Sequence, residues 1–532
     1  MNDETENRSS SNAPLADAPH ADAPAEWRPK ANPWLIALAV MLATFMEVLD
    51  TTIINVALPH IAGSLAASTS EATWVLTSYL VSNAIILPAS AWLASVFGRK
   101  RFLITCIVVF TIASFLCGAA TSLGFLIVMR IIQGAGGGAL QPFSQAILLE
   151  SFPPQKRGMA MAIFGMGIVV APIIGPTLGG WITDNYAWRW IFYINIPVGA
   201  LAVYLLHRFI EDPPYIRQAR SSKIDGIGLG LLAIWIATLQ IILDKGQEDG
   251  WFSAVWIRWF ALISVAGFIA FVVRELRTSQ PLVNLRIFAN RNFLIGSSMM
   301  FIVGISLYAS IVMMPLFLQT LMGYTALASG LAQSPRGLGS LVMMPVVGIL
   351  VGRFDSRWLI AIGFLLFALT SWIFSSLTLD IAQGFLFWPS ILLGASIAFI
   401  FVPLTTASMG TLSNDQMGNA AGIYNLMRNL GGSVGISLVT TLIDRGSQTH
   451  QALMISHLSP YSPAFQSHLH ALSQMLGSER RAMGVIYGEL VKQAALWAYV
   501  DNFRLMALVC AICSLAVFLF KRVRRAGPVA VH

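Results

Sequence analysis

Two acidic residues, Glu47 and Asp50, lie three positions apart inside a long apolar stretch near the start of the chain. The stretch covers residues 34–59, which is long enough for the ~20-residue helix that crosses a bilayer. Residues three apart share one face of a helix, so we expect both carboxylates to point the same way. Two carboxylates that close together, away from water, cannot both ionise at low cost, which makes the pair a candidate proton-binding site. The alternative is a polar cluster that only orders helix packing.

Arg130 lies a few residues into the fourth apolar stretch and is the expected partner of this acidic pair. At ~1.5 Å per residue it lies ~9 Å below one membrane surface, and Asp50 lies ~24 Å up from the opposite surface. In a hydrocarbon core ~30 Å thick these depths nearly coincide. A charge at that depth costs about 2.5 kcal/mol or more, so Arg130 needs Asp50 or Glu47 as a counter-ion. Protonation of the carboxylate would loosen such a pair and act as a switch; the alternative is a permanent structural ion pair.

The composition predicts that these charges belong to a polytopic membrane protein. Of 532 residues, 56% are hydrophobic and only 11% are charged, whereas soluble domains are ~25% charged. Water-soluble enzyme classes are therefore excluded. The net charge of +8 does not point to nucleic acid, because membrane proteins collect Lys and Arg on their cytoplasmic side. The four cysteines lie in apolar stretches and match neither a disulfide framework nor a zinc motif.

Hydropathy predicts about fourteen membrane-spanning helices, because backbone in lipid must satisfy its own hydrogen bonds. The predicted spans are residues 33–58, 73–96, 102–121, 124–148, 158–182, 189–209, 225–243, 253–273, 293–318, 326–351, 357–376, 385–411, 418–443 and 498–520. We expect a disordered cytoplasmic tail (1–31), a six-helix bundle (32–211), a linker with two extra spans (212–278) and a second six-helix bundle (279–532).

The second bundle is predicted to include a long periplasmic loop, residues 444–497. Its amphipathic part, residues 472–497, favours a helical cap or a docking surface outside the membrane. Four histidines lie in this loop, and their spacing matches no metal motif, so we expect them to be solvated; they are His450, His457, His468 and His470.

Basic residues are concentrated in the loops of one membrane side, as in Arg99-Lys100-Arg101 and Lys156-Arg157. This bias predicts that both termini are cytoplasmic, and it favours an even number of spans. No positively charged segment leads into a short apolar one, so we expect the first span to be an uncleaved anchor.

The second half of the chain offers further candidates for a binding site. Arg428 lies inside the thirteenth predicted span, and Tyr308 is one of several aromatic and methionine side chains that favour an adaptable apolar pocket. With Gln133 and Asn55 of the first half, these are the expected substrate contacts. The glycine-rich run 134–138 lacks the Gly-Lys-Ser/Thr ending of a phosphate loop, so an ion gradient is the expected energy source. No catalytic motif is present, and the chain is not expected to be an enzyme.

An internal repeat supports a transporter built from two halves. Segments 91–100 and 348–357 each join the end of an apolar helix to a basic turn, and secondary transporters commonly have repeated halves with the binding site between them. In these turns Gly98, Arg99 and Asp355 are expected to stabilise one conformation. Gly175 and Pro176, in the fifth span, are expected to permit a hinge.

Together these features resemble the fourteen-span drug:proton antiporters of the major facilitator superfamily. The matching segments are residues 49–59, 130–138, 175–180, 188–197 and 286–293, and segment 144–199 with the long outer loop is most similar to the Emr-type inner-membrane permeases. The resemblance implies a major facilitator fold and cofactor-free export of hydrophobic or cationic drugs, driven by the proton motive force. It also implies two partners, a periplasmic membrane-fusion adaptor and an outer-membrane channel.

The cytoplasmic loop motif departs from the family pattern at two positions. Ala91 stands where the family usually has Gly, and Ser95 stands where it has the Asp of a conformational lock. Two other functions remain open: a specific exporter or importer of one metabolite, such as a siderophore, sugar or amino acid, or a membrane receptor that transports nothing.

Overall fold

The computed structural model describes residues 31–212, 225–459 and 461–521. Within them lie fourteen helical spans that are long and apolar enough to cross a membrane, so the predicted number is confirmed. The predicted N-terminal tail lies outside the described residues, except for Ala31, and so do Arg217, Arg220 and Lys223 of the linker and the basic residues after Lys521.

Seven helices, which make six spans, form the first lobe. They are α1 (Pro33–Ser64), α2 (Trp74–Phe97), α3 (Arg99–Gly118), α4 (Leu123–Gly137), α5 (Leu140–Ser151), α6 (Arg157–Asn185) and α7 (Asn195–Phe209). Helices α4 and α5 make one span, interrupted at Gly138 and Ala139. A single turn, Trp190–Tyr193, leads into α7.

Two linker helices and the second lobe follow. The linker helices are α8 (Gly226–Lys245) and α9 (Val255–Arg277). The second lobe contains α10 (Arg291–Leu316), α11 (Ala326–Arg353), α12 (Ser356–Phe374), α13 (Phe387–Met409), α14 (Met417–His457), α15 (Pro463–Leu476) and α16 (Glu479–Ala516).

Polar residues placed just before apolar runs start several of these helices. The Asn32 side chain accepts a hydrogen bond from Trp34 N at the start of α1, and Ser122 accepts one from Phe125 N at the start of α4. Such N-caps satisfy backbone donors that have no partner within the helix. Gly98, between α2 and α3, has a φ of 85°, a conformation that favours glycine.

The lobes contact each other most closely in the half of the bundle that contains the basic turns after α2 and α11, here called the basic end. Gly158 of α6 lies against Gly348 of α11, and Gly418 of α14 lies beside Ala91 of α2. Small residues let helix backbones approach closely in lipid, where no hydrophobic effect drives helices together. We call this contact between the lobes the seam.

The linker helices lie at the edge of the bundle, and α8 bridges both lobes. Only 28% and 22% of the apolar windows of α8 and α9 are buried, the lowest fractions among the fourteen spans. The Asp244 carboxylate of α8 accepts a hydrogen bond from Thr77 of α2. Gln240 of α8 donates to Ser433 of α14 at 2.7 Å. Helix α8 is therefore bound to one helix from each lobe.

The segment predicted as a long loop, residues 444–497, is largely helical. Helix α14 continues to His457, α15 covers Pro463–Leu476, and α16 begins at Glu479. Hydropathy ends the predicted spans where charged residues appear, but residues such as Ala, Gln, Leu and Met continue a helix well into water. At this far end of the molecule, Leu469 packs on Ala482 and Ile486. We call α15 with the adjoining ends of α14 and α16 the far-end hairpin.

Candidate functional site

Asp50 is at the centre of a buried polar cluster in the first lobe. Arg130 Nη1 lies 2.6 Å from Asp50 Oδ2, and both side chains are at most 1% exposed. The other carboxylate oxygen, Oδ1, accepts hydrogen bonds from Gln133 Nε2 and Asn195 Nδ2, each at 2.9 Å. Helices α1, α4 and α7 therefore meet at one carboxylate whose two oxygens both have strong donors.

The glycines of α4 allow Arg130 to reach this position. A Cβ atom at Gly134 would overlap the backbone oxygen of Tyr79, so only glycine lets α4 lie this close to α2. Arg130 Nε then donates to the Val75 carbonyl at 3.0 Å. The guanidinium carbon lies 4.2 Å from the centre of the Tyr79 ring, which adds a cation–π contact. Close helix packing thus encloses the ion pair away from lipid and water.

Glu47 is equally buried but has different partners. It is 3% exposed and accepts hydrogen bonds from Asn83 at 3.1 Å and from Gln141 at 2.5 Å. The Tyr79 hydroxyl lies 3.5 Å from the same carboxylate. The two acids share a side of α1, as their spacing predicts, but they do not share Arg130. Each carboxylate belongs to a separate hydrogen-bond network.

The Glu47 network extends across the seam into the second lobe. The carbonyl oxygen of Gln141 accepts a hydrogen bond from Arg428 of α14, whose side chain is 1% exposed. One helical turn nearer the basic end, Asn425 donates to Gln145 at 2.5 Å. Helices α5 and α14 are therefore joined by two polar contacts inside the bundle.

The predicted substrate residues do not lie together. Gln133 is a donor to Asp50, and Arg428 is at the seam. Asn55 is exposed and donates to the Thr51 carbonyl of its own helix. Tyr308 is partly buried against Gly432. Asn55 and Tyr308 thus lie outside both carboxylate networks.

The residues expected to take part in conformational change lie in two places, one beside Asp50 and one at the basic end. Gly175 packs against Thr52 of α1, two residues beyond Asp50, and Pro176 follows it inside the continuous helix α6. At the basic end, Arg99 pairs with Glu150 at 2.5 Å, and Asp355 pairs with Arg357 at 3.0 Å.

The departures from the family loop motif lie beside the seam. Ala91 and Ser95 line a crevice at the basic end, together with Asn284 and Asp415 of the second lobe. The Ser95 hydroxyl donates to the Trp92 carbonyl of its own helix, at 2.7 Å. Its hydrogen bond thus stays within α2, where the usual Asp would pair with a neighbouring helix.

Sequence reasoning missed four residues that complete the networks, namely Tyr79, Asn83, Gln141 and Asn195. All lie in apolar spans, where an unpaired amide or hydroxyl group costs free energy. That cost was a usable signal that each has a partner, but the identity of the partner depends on helix rotation. Among the described residues no group of three or more His, Cys, Asp or Glu is arranged to hold a metal. His450 instead lies 2.8 Å from Asp501.

We expect Asp50 and Arg130 to be strongly coupled in stability. Asp50→Asn or Arg130→Met alone leaves one buried charge without its partner, which costs about 3–5 kcal/mol. The double variant removes both charges, so its melting temperature in detergent should lie nearer the wild type than that of either single variant. The pair Asp355–Arg357, with side chains about 25% exposed, is the control, with a coupling of about 0–1 kcal/mol. Additive losses at Asp50 and Arg130 would contradict a paired charge.

Comparison with known proteins gives one family for this chain. Residues 40–436 match the model of the Major Facilitator Superfamily. The chain is 39% identical over 478 residues to the multidrug export protein EmrB of Haemophilus influenzae, covering 89% of this chain and 93% of that protein. It is 37% identical over 460 residues to the fatty acid resistance protein FarB of Neisseria gonorrhoeae, covering 86% and 90%.

A solved structure shows the same fold. The human organic anion transporter MFSD10 (TETRAN) superposes with a TM-score of 0.59 at 14% identity, covering 92% of this chain and 99% of that one. From the family match, the similar sequences and the fourteen spans together, the chain belongs to the Major Facilitator Superfamily, in its EmrB/QacA-type branch.

Proposed function

We propose that this protein exports hydrophobic or cationic toxic compounds across the inner membrane in exchange for protons. The observation that supports it most is the Asp50–Arg130 ion pair, enclosed at mid-depth of a transporter lobe. Intramembrane charges of this kind commonly form proton relays in transporters. The names of two relatives, a multidrug export protein and a fatty acid resistance protein, support export as the direction. Members of the family are transporters rather than enzymes, and they generally need no cofactor.

Asp50 is the proposed proton acceptor, and Arg130 modulates it. A proton bound at Oδ2 neutralises the carboxylate and removes the attraction that holds Arg130 Nη1 against it. Arg130 retains its bonds to Val75 and Gln133, so the guanidinium stays in place while the ionic part of the contact between α1 and α4 is lost and the Gln133–Asp50 hydrogen bond remains. Because Gly175 packs beside this part of α1, movement there is transmitted to α6 at the proposed hinge.

Substrate contact is proposed at Gln133, Asn55, Arg428 and Tyr308. The strongest support concerns Arg428, whose Nε and Nη1 have no hydrogen-bond partner among the described residues. A guanidinium in that state binds a carboxylate or another anion readily. This favours, as a second candidate, a narrower exporter of carboxylate-bearing amphiphiles, and the transport assay described below separates it from broad drug export.

We further propose that the basic end faces the cytoplasm, so that both termini are cytoplasmic. The turns at this end contain Arg99, Lys100, Arg353 and Arg357, and cytoplasmic loops are enriched in Lys and Arg. The far-end hairpin then projects into the periplasm. Its exposed apolar residues, including Tyr461 at 93% and Met475 at 83%, support it as the docking surface for a membrane-fusion adaptor that leads to an outer-membrane channel.

Asp50→Asn should abolish proton-coupled export, because the variant has no carboxylate to protonate. In proteoliposomes, drug-stimulated proton release should fall to the level of empty liposomes while the amount of inserted protein stays unchanged. Asp380→Asn, at an exposed loop position, is the control and should transport normally. Normal export by Asp50→Asn would remove Asp50 from the mechanism. Running the assay with a cationic dye and with a long-chain fatty acid distinguishes the two substrate classes.

Orientation is tested with cysteines introduced at the two ends. The native cysteines are all buried, so an impermeant maleimide should react with introduced residues alone. In cells with a permeabilised outer membrane, Tyr461→Cys should be labelled at once, and Phe97→Cys only after the inner membrane is opened. The reverse pattern would show that the basic end faces outward.

Adaptor binding should depend on the exposed apolar residues of the far-end hairpin. The purified periplasmic domain of a membrane-fusion adaptor should bind the protein in nanodiscs, and Tyr461→Ser with Met475→Ser should weaken binding roughly tenfold or more. Asp380→Asn should bind as the wild type does. Equal binding by the hairpin variant would exclude these residues from the interface.

A further inference from the structure

Gln141, at the start of α5, contacts a carboxylate of its own lobe and a cation of the other lobe. Its Nε2 donates to Glu47 Oε2 at 2.5 Å, and its Oε1 accepts from Arg428 Nη2. The three side chains are between 1% and 8% exposed. A single amide group therefore lies between the proposed proton-coupling region and the seam.

The surroundings of Glu47 leave Gln141 as its connection to the second lobe. Asn83 and Tyr79, both of α2, are its other hydrogen-bond partners, and Asp50 lies one turn away on α1. Arg428 is the cation that faces Glu47 from α14, through the amide. Asp50 differs, because its partners Arg130, Gln133 and Asn195 all belong to the first lobe.

An amide has a donor end and an acceptor end, and this asymmetry makes Gln141 sensitive to the charge of Glu47. While Glu47 is ionised it can only accept, so the amide directs its NH₂ group to Glu47 and its carbonyl oxygen to Arg428. When Glu47 is protonated on Oε2, the oxygen that faces Gln141, its O–H donates to the same carbonyl oxygen. The carbonyl is then shared, or the amide turns over and directs its NH₂ group at Arg428, which has only donors.

We propose that Gln141 transmits the protonation of Glu47 to the seam, by losing its hydrogen bond to Arg428 when Glu47 takes up a proton. The step moves one proton from water to the Glu47 carboxylate and breaks no covalent bond. It rests on the proposed proton-coupled transport and adds to it a positioning residue that acts between the lobes. Since Arg428 is bound less well by Gln141 in the protonated state, the lobes separate more readily at the basic end.

The chain contains a matched control in Gln145. This residue lies one turn along α5 from Gln141 and also bonds across the seam, with Asn425 of α14 donating to its Oε1. Neither Gln145 nor Asn425 has a hydrogen bond to a carboxylate within the described chain. Loss of the Gln145–Asn425 bond removes one hydrogen bond between α5 and α14, as loss of the Gln141–Arg428 bond does, but it leaves the hydrogen bonds of Glu47 unchanged.

The test measures the distance between spin labels at the basic end of the two lobes. Phe97 of α2 is 53% exposed and Trp358 of α12 is 61% exposed, so both positions accept a label. The four native cysteines are buried and leave the introduced Phe97→Cys and Trp358→Cys as the labelled sites. Distance distributions are recorded in nanodiscs at mildly alkaline and mildly acidic pH.

In the wild type, acidification should raise the ratio of long to short distances roughly tenfold or more, as expected for loss of a hydrogen bond to a charged group. Gln141→Leu should favour long distances at both pH values. Gln141→Glu places a second carboxyl between Glu47 and Arg428; it shares a proton with Glu47 and keeps a negative charge against Arg428, so it should favour short distances at both. Glu47→Gln should lose the response to acid, and Gln145→Leu should keep it.

Opposite shifts by the two Gln141 variants cannot both result from misfolding, so the proposal stays testable if one variant is unstable. It is overturned if Gln141→Leu responds to acid as the wild type does, or if Gln145→Leu abolishes the response. The Asp50→Asn transport assay is independent of this result. If Asp50→Asn loses export while Gln141 has no effect on the distances, the proposed function stands and the role of Gln141 is excluded.

Discussion

A buried charge in lipid must have a partner, and the ion pair of Asp50 and Arg130 meets that constraint for the first lobe. The glycines of α4 place Arg130 against α2, and α7 supplies Asn195 to the second carboxylate oxygen. Helices α1, α2, α4 and α7 are joined by this cluster, so the proposed proton acceptor also helps to order the interior of the lobe.

The two acids of α1 lie three residues apart but have different hydrogen-bond partners. Asp50 has all its hydrogen-bond partners within the first lobe, whereas Glu47 reaches Arg428 of the second lobe through Gln141. In the proposed mechanism, the charge of Asp50 sets how tightly the helices of the first lobe are held, and the charge of Glu47 sets how the two lobes hold each other. Both carboxylates lie on α1, so one helix takes part in both contacts.

Much of this arrangement was predictable because it follows from depth and periodicity. Hydropathy predicts fourteen spans, and helix rise alone places Asp50 and Arg130 at one level. The partners of Glu47 were not predictable, since a rotation of α5 by one residue would direct Gln141 elsewhere. A helical cap was predicted for residues 472–497, but the continuation of α14 and α16 beyond the membrane was not, because a hydropathy window selects apolar segments and a helix that continues into water no longer satisfies it.

The bonds of α8 to both lobes have a mechanical consequence. Asp244 binds Thr77 of α2, near the end of that helix that lies opposite the basic end. Gln240 binds Ser433 of α14, which lies farther from the basic end than the contact between Gly418 and Ala91. Separation of the lobes at the basic end leaves these two bonds intact, whereas separation at the opposite end shears them. Helix α8 thus ties the two lobes together along one side of the bundle, and the lobes should open more easily at the basic end than at the opposite end.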